Sequence, residues 1–185
     1  MTIYTPTHKQ SLLNPEWLYL HAEVPPAKWP LLPSFGNAAS WLGMHHSLRK
    51  GQGELDYLGR RLQEGKLDWE AYRPRLLKAA ELHYGHLDGH HRNEDESTFP
   101  RMRRDYPRLI EGFDLLENDH QHIDQQLHLI GKLLTELKHA DKPDPALAER
   151  LAKEIALGGE QLYRHLADEE DLVIPILALE AERGY

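Results

Sequence analysis

The stretch His90-His-Arg-Asn-Glu94-Asp-Glu-Ser-Thr-Phe-Pro100 returns 75 residues later as His165-Leu-Ala-Asp-Glu169-Glu-Asp-Leu-Val-Ile-Pro175. In both copies a histidine and a glutamate stand one helical turn apart, about 40° around the axis, and a proline follows in register. The same shift carries His45 onto His120. One helix pair is therefore written twice, and the repeat predicts a pseudo-twofold arrangement of helices around a shared axis.

Apolar spacing outward from these motifs is helical. Stripes at intervals of three and four run through Trp41, His45, Leu48, Leu55 and Leu62, then Leu76, Ala80, His83, Leu87, His90 and Glu94. A third stripe joins Leu109, Phe113, Leu116, His120, Ile123, Leu127, Ile130 and Leu134; a fourth joins Leu151, Ile155, Leu162, His165, Glu169, Leu172 and Ile176. The helices are expected over about 36–64, 69–99, 107–139 and 144–182. Between them stand Gly65 with Asp68 as N-cap, Pro100 and Pro107, and Asp144 with Pro145 at the first helical position. Pro74 falls early in the second helix or at a kink. No strand-like alternation competes. The prediction is an all-α protein, an antiparallel up-down-up-down four-helix bundle over 34–185 preceded by an N-terminal arm over 1–33. That arm holds six of the 12 prolines, yet Leu12, Leu13, Trp17, Leu18, Leu20, Trp29, Leu31 and Leu32 make it too apolar for a solvated tail. It is expected to pack on the bundle or on a partner subunit, which suggests a homodimer.

Composition narrows the chemistry. The chain has 185 residues, 40% of them hydrophobic, and no apolar run approaches the roughly 20 needed to cross a bilayer. No basic-then-apolar leader stands at Met1 to Gln10, so a cytoplasmic location is expected. A net charge of -8 with no basic cluster argues against nucleic acid. There is no cysteine, which excludes a disulfide framework, a thiolate nucleophile and any Cys-built metal site. Histidine, by contrast, occurs 13 times, and it is the commonest metal ligand.

Angular position ranks the histidines. His45, His90, His120 and His165 lie on the apolar stripes, and Glu94 and Glu169 lie a turn beyond two of them. His46, His122, His91 and Asp95 project away at 100° per residue. Burying four imidazoles and two carboxylates costs several kcal/mol per carboxylate without compensation, and a pair of dications supplies it. The predicted ligands are His45, His90, Glu94, His120, His165 and Glu169. Two six-coordinate ions sharing bridging carboxylates and a bridging oxygen would keep about two positions open for a small molecule. Imidazole with carboxylate suits iron, manganese or zinc. His83 is read as core; His8, His21, His91, His122, His128 and His139 as surface; Asp95 and Glu170 as facing water or orienting ligands. Trp41, Phe99, Phe113 and Tyr163 are read as core aromatics, with the lining of a pocket as the alternative.

Taken together, His45 with Leu48-Arg49, His90-His91-x-x-Glu94-Asp95 with Phe99-Pro100, Asp119-His120, and His165-x-x-x-Glu169-Glu170 with Pro175 resemble the hemerythrin-like, HHE cation-binding family over about 36–180. The resemblance implies a four-helix bundle with a non-heme di-iron site, two Fe ions and a bridging oxygen, that binds or senses dioxygen or another small diatomic. It implies ligation by the six residues named above. Oxygen-carrying hemerythrins place a second imidazole one turn after the third-helix histidine, where this chain has Asp124; Asp124 or His86 stands as a substitute. They also take the last carboxylate five residues after the fourth-helix histidine, at Glu170 here, whereas angle and repeat favour Glu169. The cysteine-bearing N-terminal segment of the family's iron-sulfur cluster-repair branch is absent. The expected role is binding or sensing without turnover. The alternatives are a di-iron enzyme acting on peroxide or nitric oxide, cluster repair in a stress response, and a metal-buffering bundle holding zinc.

Overall fold

Caps and breakers set the helix ends in the computed structural model, which describes residues 3–184. The outermost residues of the expected arm and bundle, Met1, Thr2 and Tyr185, lie outside them. Two short 3-10 helices, Pro15–Ala22 and Pro26–Leu31, form the arm. Then follow α1 (Asn37–Gln63), α2 (Trp69–Asn93), a π turn (Glu94–Thr98), α3 (Phe99–Asp105), a 3-10 turn (Pro107–Leu109), α4 (Ile110–Lys138) and α5 (Pro145–Glu182). Among the described residues there is no strand, and no helix is long and apolar enough to cross a membrane.

Gly65 stops α1 because its φ of 66° costs a residue without Cβ little. The Asp68 carboxylate accepts from Ala71 N at 2.8 Å and starts α2; Asp144 does the same for α5, from Leu147 N at 3.0 Å. Pro74 lies within α2, exposed, as is Glu70, whose carbonyl it deprives of a helical donor.

The second expected helix is divided. Pro100 has no N–H for the carbonyl four residues before it, and just ahead of it the backbone widens into the π turn before α3 continues to Asp105. At the equivalent Pro175 the helix runs on, with a different remedy. The orphaned Asp171 carbonyl lies 3.0 Å from His21 Nε2. Since a carbonyl only accepts, Nε2 carries the proton, and burial keeps the imidazole pKa below its usual value and the ring neutral. His21 is buried rather than on the surface as its sequence position suggested, because it completes a hydrogen bond that a proline removed. His21→Phe keeps the bulk and removes the donor; an expected loss of about 1–3 kcal/mol in urea unfolding checks this.

Two compact units divide the chain. The first joins the stretch ending at Ser47, Glu94–Asp119, and the stretch from Tyr163 onward. Its core holds Leu18, Phe99, Met102, Phe113, Leu116, Val173 and Ile176, with Trp17 and Trp41 packed against it. Thr7 N and Leu12 N donate to Asp171 Oδ2 and Asp168 Oδ2, at 2.7 and 3.2 Å, so the arm is tied to the acidic run of α5. The second unit, Leu48–Asn93 with His120–Leu162, packs Leu55, Leu58, Tyr72, Leu76, Ile130, Leu137, Leu151 and Ile155.

Candidate metal centre

In the first unit α1 supplies His45, the π turn Glu94, and α5 His165 and Glu169, all fully buried or nearly so. Ligand atoms of His45, Glu94 and Glu169 lie within 4.8 Å of one another, as do those of Glu94 and His165. His45 Nε2 is 3.1 Å from Glu169 Oε1, and His165 Nε2 is 3.6 Å from Glu169 Oε2. Each ring has its other nitrogen on a second acid: His45 Nδ1 lies 2.9 Å from Glu170 Oε1, and His165 Nδ1 3.6 Å from Asp119 Oδ2. A proton held on His45 Nδ1 by Glu170 leaves the Nε2 lone pair directed at Glu169, the tautomer a metal ligand requires, and the Asp119 carboxylate places its charge on the Nδ1 side of His165. Arg164 grips Asp119 at 2.7 and 2.8 Å and Asp168 at 3.1 Å. Against the upward push of burial, His165 and Arg164 bring the Asp119 carboxyl down to about 2, so it is a fixed negative charge behind the ring. Trp41 Nε1 donates to Glu169 Oε1 at 2.5 Å. Burial first, and the Glu169 charge second, push the Glu94 carboxyl well above its usual range. Two carboxylates this close and this dry need a cation between them to be ionised together.

In the second unit His90 and His91 end α2, and His120 lies in α4. The His91 ring stacks on His120 with centroids 4.0 Å apart and an interplanar angle of 14°. His90 and His91 centroids are 5.8 Å apart, and all three residues are buried. His91 thus departs from the outward position expected of it. The physical reason is that Glu94 stands about 40° from His90 on one side and about 60° from His91 on the other. The inward sector is centred on the glutamate rather than on His90, and both imidazoles fall within it.

The other histidines sort cleanly. His86, His122, His128, His139 and His46 are exposed, His8 is half-exposed, and Asp124 is exposed, so neither proposed substitute for the fifth imidazole is placed to serve. Glu170 is buried on the Nδ1 side of His45, an orienting position. His83 is core: a Cβ on Gly51 would come within 2.5 Å of its Nδ1. Burial, with His86 second, lowers the His83 imidazole to about 4. Its folded pKa is below the unfolded value of about 6.5, so its contribution is intact above that pH and is lost as pH falls toward 4, up to about 3 kcal/mol. Urea unfolding at pH 7.5 and pH 5 is expected to show a smaller loss for His83→Met than for the wild-type chain.

Sequence reasoning missed His91, Asp119 and Arg164 as contributors. The signal for His91 was available in the adjacent pair His90-His91, with Glu94 one turn from both; nothing local marks Arg164. The donor set, neutral imidazole nitrogens with carboxylate oxygens in dry surroundings, fits a divalent first-row metal. The family profile described as Hemerythrin HHE cation binding domain matches residues 38–177. No curated protein and no solved structure matches the chain.

Proposed function

We propose, from the premise that this chain belongs to the hemerythrin HHE cation-binding family, that it is a non-heme di-iron protein that binds or senses dioxygen or another small diatomic. In this reading α1, α2 with α3, α4 and α5 are the limbs of an antiparallel up-down-up-down four-helix bundle. One ion is assigned to His45, His90, Glu94 and Glu169, the other to His91, Glu94, His120 and His165. The observation that carries the reading is the composition of these two quartets. All seven residues are buried, and in the first unit the ligand atoms of His45, Glu94 and Glu169 lie within 4.8 Å of one another, as do those of Glu94 and His165, so that Glu94 is common to the two sets. A shared carboxylate is what a bridged pair of ions requires.

When bound, a ferrous pair supplies the electron density that holds a diatomic molecule. The protein's part is to keep water and bulky reductants out and to hold the imidazoles in one tautomer. Glu170 does so for His45, Asp119 sets a negative charge on the Nδ1 side of His165, and Trp41 fixes one oxygen of Glu169. With a single net negative charge from each glutamate and five neutral imidazoles, the site is less electron-rich than a carboxylate-dominated one, which favours reversible binding over demanding oxidation.

Metal analysis with absorption spectroscopy tests this. Protein produced with ample iron, reduced anaerobically and opened to air, is expected to hold about two irons per chain and to show visible bands that vanish on deoxygenation. Consumption of peroxide or nitric oxide with turnover would replace binding by catalysis. A colourless protein holding one zinc would overturn the di-iron assignment.

A further inference from the structure

On the outer side of Trp41 lies a cavity of about 350 Å³ within the first unit. Asn37, Ser40, Trp41 and Met44 line it from one face of α1, at helical intervals of three and four, and Thr98 and Leu177 complete a lining that is open to solvent. Arg101 stands at its wall, but its guanidinium is committed to Glu180 at 2.6 Å, so the cavity has no free positive charge with which to hold an anion. Trp41 is half-buried: one part of the indole faces the cavity, while Nε1–H is on Glu169 Oε1 at 2.5 Å. Trp41 thus both lines the cavity and donates to the Glu169 carboxylate.

We infer that this cavity is the vestibule through which small uncharged diatomic molecules reach the metal centre, and that Trp41 is its gate. The inference rests on the metal reading above and adds a route and a size limit to it. The indole donates to Glu169 on one side and packs beside the His45 ring, 6.1 Å between centroids. Small side-chain excursions pass a diatomic, whereas a triatomic anion such as azide requires the bond to open and the ring to swing. Lining chemistry agrees with an uncharged guest: an amide, two hydroxyls, a thioether and an aliphatic side chain, with no unpaired ion.

The test uses iron-loaded full-length protein, with nitric oxide and azide as probes in stopped flow. Ser40→Phe, on an exposed position of α1, fills the vestibule. It is expected to slow nitric oxide association at least tenfold with iron content unchanged. Trp41→Ala, which removes both the bond to Glu169 and the bulk, is expected to speed azide association at least tenfold, and Trp41→Phe, which loses the bond and keeps most of the bulk, to speed it by less. An unchanged nitric oxide rate in Ser40→Phe, or an unchanged azide rate in Trp41→Ala, places the route elsewhere. Failure of the wild-type chain to hold iron counts against the metal reading alone, and the route is then decided on metal-free protein. Dioxygen quenches tryptophan fluorescence by collision, so the quenching that disappears in Trp41→Phe reports arrival at the gate. Ser40→Phe is expected to reduce that component at least twofold; undiminished quenching overturns the vestibule.

Discussion

Glu94→Gln is expected to act in opposite directions on metal and on stability. Glu94 is the one residue assigned to both proposed ions, so its loss should take bound iron from about two per chain to near zero, read by elemental analysis after desalting. The metal-stripped variant should nonetheless be more stable than the stripped wild-type chain, by about 1–3 kcal/mol in urea unfolding at pH 7.5. In the metal-free fold, burial and the neighbouring Glu169 raise the Glu94 carboxyl well above its ordinary value. A carboxyl whose folded pKa exceeds its unfolded one contributes stability that is present at low pH and is lost as pH rises past the unfolded value. Glutamine occupies the same volume without that cost, so the advantage of the variant should shrink as pH is lowered toward about 4. A residue that served only the fold would destabilise when replaced; a stripped Glu94→Gln protein weaker than wild type would sink the assignment.

His91→Ala should remove one ion and spare the other. The ion proposed for His45, His90, Glu94 and Glu169 does not use it, whereas the ion proposed for Glu94, His120 and His165 loses an imidazole. The expected iron content falls from about two to about one, with roughly tenfold or greater weakening at the affected position in a chelator titration. Loss of the ring stacked on His120 adds about 1 kcal/mol of destabilisation even without metal. His122→Ala, on an exposed position two residues from His120, should change neither quantity. An iron content as unchanged by His91→Ala as by His122→Ala, with the stability loss still present, would mean that stacking with His120, rather than ligation, explains why His91 is buried.

Much of this was legible before any coordinates. The stripe spacing located the helices to within a few residues at most ends, and Asp68, Gly65 and Asp144 marked their boundaries by local chemistry that needs no partner. The repeat of His-x-x-x-Glu singled out His45, Glu94, His165 and Glu169, which the first unit brings together, and His90 and His120, which the second buries. Less legible was the interruption of the second helix. A proline at a given distance after a motif announces that one carbonyl will lack a donor, but not how the chain makes this good: Pro100 follows a π turn, while the carbonyl freed by Pro175 is met by a histidine.

What the sequence by itself determined is the type of each element and the kinds of donor on its inward face, because periodicity and capping act over one or two turns of the same helix. What only the tertiary structure decided is where the inward sector ends and who orients whom. An angular projection ranks residues about their own helix axis, but its width is set by neighbouring side chains, and so His91 is buried where projection placed it outside. His21 reaches Asp171 across 150 residues of chain, and Arg164 and Asp119 meet across 45. Such pairings are invisible locally because the free energy that selects them, satisfaction of a buried carbonyl or a buried charge, exists only once the fold has removed the water that would otherwise have served.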